Sequence, residues 1–276
     1  MNPGRGARMR SVRRLVPALL AAAGLIAACG ASGGGDAGGS SAGPSTGSAP
    51  ALTGTVVVSA AASLTGSFDQ IKADFTRAHP GVSVTVSYGG SDTLAAQINQ
   101  GAPVDVFAAA SDKTMALVVD AGNAAGAPTR FATNTLEIAV PAANPAGVTG
   151  LADLARAGVK VALCAPTVPC GAASTKVLDA AKLTVTPVTQ EQDVKSVLTK
   201  VQLGEVDAGL VYRTDVQAGG ATIKGIAFAE ASGAVNNYPI VITKQAPNAA
   251  AAQAFVDYVL SPAGQKVLAA AGFAAP

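Results

Sequence analysis

The sequence TVVVSAAASLTGSFDQIKADFTRAHPGVSVTVS, residues 55–87, contains two strand patterns with a helix pattern between them. Thr55–Ser59 is an apolar run typical of a buried strand, and Val82–Ser87 alternates apolar with other residues. Between them, apolar residues recur at helical spacing, at Leu64, Phe68, Ile71 and Phe75. A strand, a helix and a second strand in succession are typical of parallel sheets covered by helices.

The same alternation continues towards the end of the chain. Further strands are predicted at Val104–Ala108, Leu136–Val140, Val159–Leu163, Val185–Val188, Ala208–Tyr212 and Ile240–Thr243. Helices are predicted around Leu94 and Ile98, and at Lys113–Ala121, Ala172–Ala181, Val194–Leu203, Asn248–Leu260 and Ala263–Ala270. Because this pattern fills about 222 residues, which is long for one sheet, it predicts an α/β fold with two lobes.

The first 28 residues differ in composition from the rest of the chain. They contain five Arg and no acidic residue, and the 14 residues from Leu15 to Ala28 are largely apolar. Such a run is too short to span a bilayer comfortably and is typical of a signal peptide. Ile26-Ala27-Ala28-Cys29 resembles the lipobox of bacterial lipoproteins. The resemblance predicts cleavage after residue 28 and acyl chains such as palmitate on Cys29, which would hold the protein on the outer face of the cell membrane; an ordinary secretory signal is the alternative.

Residues 29–54 are rich in Gly, Ser and Ala, which predicts a flexible tether.

After residue 28 the chain has 14 basic and 17 acidic residues, a net charge of −3. This balance argues against binding to nucleic acid or to an anionic membrane surface. A single His, three Cys and the absence of a G-x-S-x-G motif argue against a zinc site and a conventional hydrolase. We therefore expect no enzyme, no cofactor and no resident metal ion.

Candidate binding residues lie where predicted strands are followed by helices or loops. Ligands of α/β sheets bind beyond the carboxyl ends of strands, often at helix N-termini. The five junctions are Ala60–Leu64, Tyr88–Leu94, Cys164–Gly171, Gln190–Val194 and Val211–Tyr212. Because none contains Lys or Arg, they favour a site built from neutral hydroxyl and N–H donors.

Each junction also has a simpler interpretation. Ser63 and Ser91 could be plain helix N-caps, and Tyr212 could be a half-buried phenol with a satisfied hydroxyl. For Asp193 a capping role is the preferred interpretation.

In this order, the junctions resemble those of the periplasmic molybdate-binding proteins of ABC importers. The similar segments are Ala60–Thr65, Gly90–Ile98, Gly101–Phe107, Val168–Gly171, Glu191–Val194 and Gly209–Tyr212. The resemblance covers residues 55–276 and implies a two-lobed periplasmic-binding-protein type II fold, with a mostly parallel sheet in each lobe and the ligand in the cleft. It implies that residues 55–133 and 239–276 form lobe 1 and that residues 134–238 form lobe 2.

Carried over residue by residue, the resemblance also implies the ligand and its contacts. The hydroxyls of Ser63, Ser91 and Tyr212 would bind the oxyanion, together with the backbone N–H groups of Ser63, Ser91, Cys170 and Val194. The family often has Ala in place of Cys170, a difference without effect if only the N–H is used. The implied ligand is molybdate, or tungstate, delivered by a monomer to the permease subunits of an ABC importer. Another oxyanion, such as sulfate or thiosulfate, is the alternative.

Cys164 and Cys170 form an even pair if Cys29 is acylated. Disulfides persist in exported proteins. A bridge here would close a loop of about seven residues and contribute roughly 2.4 kcal/mol in the chain-entropy model. We predict a disulfide that stiffens the loop presenting the Cys170 N–H; two buried free thiols are the alternative.

Overall fold

The computed structural model describes residues 51–276 and contains two five-stranded sheets. Within these residues the strands are β1 Gly54–Ala61, β2 Val82–Gly89, β3 Val106–Ala108, β4 Thr129–Asn134, β5 Leu136–Pro141, β6 Val161–Cys164, β7 Thr189–Glu191, β8 Ala208–Tyr212, β9 Ile223–Ile226 and β10 Asn236–Ile242. The α-helices are α1 Thr65–Ala78, α2 Ser91–Asn99, α3 Asp112–Asp120, α4 Pro169–Ala180, α5 Val194–Gln202, α6 Arg213–Gly219, α7 Ala249–Leu260 and α8 Pro262–Ala270. The predicted signal peptide, Cys29 and most of the predicted tether lie outside the described residues.

The first lobe is built on a sheet with the strand order β2-β1-β3-β10-β4. Four of its strands run in the same direction, and β10 runs against its neighbours β3 and β4. Helices α1, α7 and α8 cover one face, where Phe68, Phe75 and Phe255 are fully buried. Helices α2 and α3 cover the other face with Leu94 and Met115.

The second lobe repeats this plan with the strand order β7-β6-β8-β5-β9. Here β5 is the one strand that runs against its neighbours. The buried residues of α5 recur at helical spacing and face the lobe's core: Val194, Val197, Leu198 and Val201. The prediction of two α/β lobes with mostly parallel sheets is confirmed.

Two crossings join the lobes. β4 ends at Asn134 in the first sheet and β5 begins at Leu136 in the second, so the first crossing lies at Thr135. The chain returns to the first sheet with β10, whose residues Asn236 and Asn237 already pair with β4. The second crossing therefore precedes Asn236, which shifts the expected boundary between residues 238 and 239 towards the N-terminus.

Four further elements differ from the sequence predictions. The strand predicted at Val185–Val188 is wrong, because β7 lies at Thr189–Glu191, where its polar residues pair with β6 at the sheet edge. Val188 is 59% exposed. Strands β4 and β9 and helix α6 were not predicted, since their short sequences carry little apolar periodicity. Among residues 51–276, no helix is both long and apolar enough to cross a bilayer.

Candidate functional site

A small cavity lies between the two lobes, where strands of both sheets end. It encloses about 20 Å³, which exceeds the roughly 10–15 Å³ that one ordered water requires. Its lining residues are Ala61, Ala62, Ser63, Gly89, Gly90, Ser91 and Ala110 from the first lobe, and Val168, Pro169, Cys170, Asp193, Val194 and Tyr212 from the second. Since none of them is Lys or Arg, the wall of the cavity contributes no positive side chain.

The structure brings all five predicted oxyanion-binding residues to this cavity. The residues are Ser63, Ser91, Cys170, Val194 and Tyr212. Each is at least nine-tenths buried. Two come from the first lobe and three from the second, so a ligand held by the whole set would bridge the lobes. That these residues bind an anion stays a prediction.

Three of the five lie at the N-terminal ends of helices. Ser91 is the first residue of α2, Val194 is the first residue of α5, and Cys170 is the second residue of α4. The first N–H groups of a helix have no partner within the helix, and the helix dipole places partial positive charge there. Three helix N-termini at one cavity are therefore an arrangement that favours an anion without a charged side chain.

Ser63 lies within a short 3-10 helix, Ala62–Leu64, and Ser91 is the first residue of α2; neither hydroxyl caps a helix, so the interpretation of Ser63 and Ser91 as plain N-caps is wrong. The Ser91 oxygen accepts a hydrogen bond from the N–H of Ala110 at 3.0 Å. Ser63 Oγ lies 2.8 Å from the hydroxyl of Tyr238. With its oxygen bonded to Ala110, Ser91 keeps its own proton to donate into the cavity.

The Tyr212 hydroxyl is buried and makes no hydrogen bond of normal geometry among the described residues, while the side chains of Tyr238 and Asn236 lie near enough to influence its pKa. The side chain is 1% exposed, which contradicts the interpretation of a half-buried phenol with a satisfied hydroxyl. Burial raises the pKa of Tyr212, so the phenol keeps its proton. A buried donor without a partner is rare in folded proteins, and this one lines the cavity. It points to a ligand that accepts hydrogen bonds.

The one carboxylate-bearing residue of the cavity wall is occupied elsewhere. Asp193 caps α5 by accepting hydrogen bonds from the N–H of Ser196 at 2.9 Å and from the Ser196 hydroxyl at 3.0 Å. This is the capping role that the sequence favoured. Asp193 therefore stabilises the helix that carries the Val194 N–H.

The loop before α4 is tightly constrained. The Sγ atoms of Cys164 and Cys170 are bonded in the structure, and their Cα atoms lie 5.8 Å apart. The N–H of Ala165 donates to the carbonyl oxygen of Glu191 at 2.8 Å, which ties the loop to β7. A Cβ added at Gly171 would overlap the carbonyl oxygen of Ala165, so the turn requires glycine there for space.

Two features behind the cavity were missed in the sequence. Asp215 is fully buried; its Oδ1 lies 2.9 Å from Lys195 Nζ, and its Oδ2 accepts from the N–H of Tyr212 at 3.1 Å. Burial raises the pKa of Asp215, while Lys195 opposes the shift. Asp215 lies three residues after Tyr212, the N-cap of α6. This spacing is a sequence signal for a carboxylate that accepts from the N–H of the N-cap residue. The second feature is Tyr238, whose contact with Ser63 no local pattern could indicate.

The chain forms two lobes, crosses between them twice and encloses an interlobe cavity of neutral donors. This architecture is that of a two-lobed solute-binding protein. Comparison with known proteins gives the same class: the family described as bacterial extracellular solute-binding protein matches residues 56–274.

Similar curated proteins narrow the group. The molybdate-binding protein ModA of Mycobacterium tuberculosis H37Rv is 44% identical over 222 residues, covering 80% of this chain and 85% of that protein. ModA of Escherichia coli K12 is 32% identical over 239 residues, covering 82% and 91%. The chain belongs to the bacterial extracellular solute-binding protein family, in the group that contains these ModA proteins.

A solved structure supports the fold. The periplasmic molybdate-binding protein of Azotobacter vinelandii matches with a TM-score of 0.71 over 80% of this chain and 99% of that chain, at 24% identity.

Proposed function

We propose that this protein captures molybdate, and also tungstate, outside the cytoplasm and delivers it to an ABC importer. The observation that carries the proposal is the cavity in which donors from both lobes surround the unpartnered hydroxyl of Tyr212. The resemblance to ModA proteins of two bacteria supports the choice of molybdate.

Neutral donors can hold a doubly charged oxyanion if enough of them converge. Hydrogen bonds to a charged group contribute about 1.5–3 kcal/mol each, more than those between neutral groups. The proposed donors are the hydroxyls of Ser63, Ser91 and Tyr212 and the N–H groups of Ser63, Ser91, Cys170 and Val194. The helix N-termini add favourable dipole ends.

A site made of donors also selects the protonation state of its ligand. A protonated anion such as hydrogen phosphate would place its O–H against the proposed hydroxyl and N–H donors, and an unsatisfied buried donor is unfavourable. We therefore propose that the site favours fully deprotonated oxyanions. Separation of molybdate from sulfate would then depend on the size of the cavity.

Binding and lobe closure become one event in this arrangement. Ser63 and Ser91 belong to the first lobe, whereas Cys170, Val194 and Tyr212 belong to the second. An anion that contacts both sets stabilises the closed form over the open one. The importer would recognise this closed form.

Calorimetry on the full-length protein tests the proposal, with molybdate, tungstate, sulfate and phosphate as ligands. We expect heats of binding with molybdate and tungstate and a much weaker response to phosphate. A preference for sulfate over molybdate would replace the proposed substrate. No heat with any of the four anions would refute the transport assignment.

We also propose that the protein acts as a monomer without catalytic activity or a cofactor, anchored by acyl chains on Cys29. The anchor is supported by the sequence Ile26-Ala27-Ala28-Cys29 after an apolar run. Labelled palmitate should enter the wild-type protein in cells but not the Cys29→Ser variant. Equal labelling of the two proteins would contradict the anchor.

A further inference from the structure

Tyr238 lies behind the cavity, in the strand that returns the chain to the first lobe. The side chain is fully buried and does not line the cavity. Its hydroxyl is 2.8 Å from Ser63 Oγ, which does line it. Tyr238 also packs edge-on against the ring of Tyr212, with 6.1 Å between the ring centroids, but its hydrogen bond to the cavity wall is the one to Ser63. Through that bond Tyr238 is a candidate positioning residue.

The direction of this hydrogen bond is set by Asn134, at the end of β4. The Asn134 Oδ1 accepts from the N–H of Thr135 at 3.0 Å, which places Nδ2 on the opposite side. That nitrogen donates to Thr214 Oγ1 at 2.9 Å and, over a longer 3.5 Å, to the Tyr238 hydroxyl oxygen. An amide nitrogen can only donate, so Tyr238 accepts here.

The direction of the hydrogen bond between Tyr238 and Ser63 follows from where the single proton of the phenol can go. A phenol has one proton, and burial raises the pKa of Tyr238, which keeps that proton in place. Among the described residues, Ser63 Oγ is the one acceptor in a hydrogen bond of normal geometry with the Tyr238 hydroxyl. A buried donor is rarely left without a partner, so the Tyr238 proton goes to Ser63 Oγ. Ser63 then accepts from Tyr238, and its own proton is free for the cavity. Ser91 is held in the same way by the N–H of Ala110.

We propose that Asn134 and Tyr238 form a one-way hydrogen-bond chain that fixes Ser63 as a donor to the oxyanion and so enforces the preference for a fully deprotonated ligand. This inference rests on the proposed function. The hydrogen bonds diverge from Asn134: one reaches Thr214 in the second lobe, and the other passes through Tyr238 to Ser63 in the first lobe. They therefore link the crossings to the anion site.

Removal of the Tyr238 hydroxyl should affect both affinity and selectivity. In the Tyr238→Phe variant, Ser63 loses its internal donor, so its hydroxyl can rotate and can accept from a protonated anion. We expect molybdate to bind about 3- to 10-fold more weakly, as for the loss of one oriented hydrogen bond. We also expect the preference for molybdate over hydrogen phosphate to decrease, because the hydroxyl now offers an acceptor.

A double-mutant cycle by calorimetry on the full-length protein separates positioning from general structure. Tyr238→Phe is measured in the wild type, in Ser63→Ala and in Ser91→Ala. If Tyr238 acts through Ser63, its substitution adds no further loss of molybdate affinity in Ser63→Ala. It keeps its full effect in the matched control Ser91→Ala. An equal loss in both backgrounds, or no loss in the wild type, would overturn the inference.

The outcomes distinguish this inference from the proposed function. If the wild type does not bind molybdate, the proposed function fails. If the wild type binds molybdate and the substitutions are additive, only the hydrogen-bond chain fails. Thermal unfolding without ligand checks that each variant folds; should Tyr238→Phe not fold, Asn134→Ala takes its place in the same cycle, with a smaller expected loss and the same criterion.

Discussion

Gly90 of the first lobe lies against the carbonyl oxygen of Gln192 in the second, so closely that a Cβ added at residue 90 would overlap that oxygen. The backbone of Gly90, with φ −61° and ψ 132°, is one that any residue adopts. Glycine is therefore needed at this position for space between the lobes and not for its conformational freedom.

Substitution Gly90→Ala should oppose lobe closure. We expect molybdate affinity to fall by about 1–3 kcal/mol, the usual effect of overpacking a close contact. The melting temperature without ligand should change little, because the open lobes relieve the overlap. Gly126→Ala is a matched control, since no atom lies within 4 Å of a Cβ built there. Unchanged affinity of Gly90→Ala would show that binding does not require this contact.

Substitution Tyr212→Phe should separate binding from stability. The hydroxyl has no partner among the described residues, so its removal leaves no other buried group unsatisfied. We expect affinity for molybdate to fall by about 1–3 kcal/mol and the free energy of unfolding to stay nearly constant. Calorimetry and denaturant unfolding measure the two quantities. Tyr258→Phe, on α7 away from the cavity, should change neither.

Ser63→Ala should behave differently from Tyr212→Phe. It should weaken binding by a similar roughly 1–3 kcal/mol, but it also leaves the buried Tyr238 hydroxyl without its 2.8 Å partner. A lower melting temperature without ligand is therefore expected for Ser63→Ala alone. Equal melting temperatures for the two variants would contradict the Ser63–Tyr238 hydrogen bond.

Loss of the bond between Cys164 and Cys170 should affect stability and binding together. The double variant Cys164→Ser/Cys170→Ser should lose about 2 kcal/mol of unfolding free energy, as expected for a loop of this length. Binding should weaken because the same loop presents the Cys170 N–H to the cavity. Denaturant unfolding and calorimetry measure the two effects. Peptide mass spectrometry of unreduced protein tests the bond itself: alkylated thiols at both residues would exclude it.

The buried carboxyl of Asp215 should make stability depend on pH. Burial raises its pKa in the folded state above that in the unfolded chain, so the folded state binds the proton more tightly. This contribution to stability is present at low pH and is lost as the pH rises through the folded-state pKa. Asn at this position does not titrate. From about pH 4 to about pH 7, the melting temperature of Asp215→Asn should therefore rise relative to that of the wild type; a constant difference would contradict the shift.

The sequence predicts the parts of the site that depend on local order. Ser63, Ser91 and Val194 follow strand ends and lie at or near helix starts, and both features have clear sequence signals. The apolar spacing of α5 likewise predicts which face it buries. Local patterns therefore indicate where the donors are and on which side of a sheet they gather.

Contacts between distant segments could not be predicted in the same way. Ser63 and Tyr238 are 175 residues apart, and their hydrogen bond depends on the position of β10 in the first sheet. The pair of Lys195 and Asp215 depends on the packing of α5 against α6. The position of the edge strand β7 was predicted wrongly for a related reason. Its residues form a strand because they pair with β6, and not because they are apolar.

The position of β10 also has a consequence for biogenesis. This strand fills the gap between β3 and β4, yet it follows the entire second lobe along the chain. When the chain leaves a membrane channel N-terminus first, β5 to β9 can form their sheet as soon as they are exported. The edges of β3 and β4 that pair with β10 stay unpaired until residue 242 has been exported. Bare edges invite pairing with other chains. In newly exported molecules, the segment β1 to β4 of the first lobe is therefore the part that most needs a chaperone. Chains truncated before residue 236 should aggregate through the unpaired edges of β3 and β4.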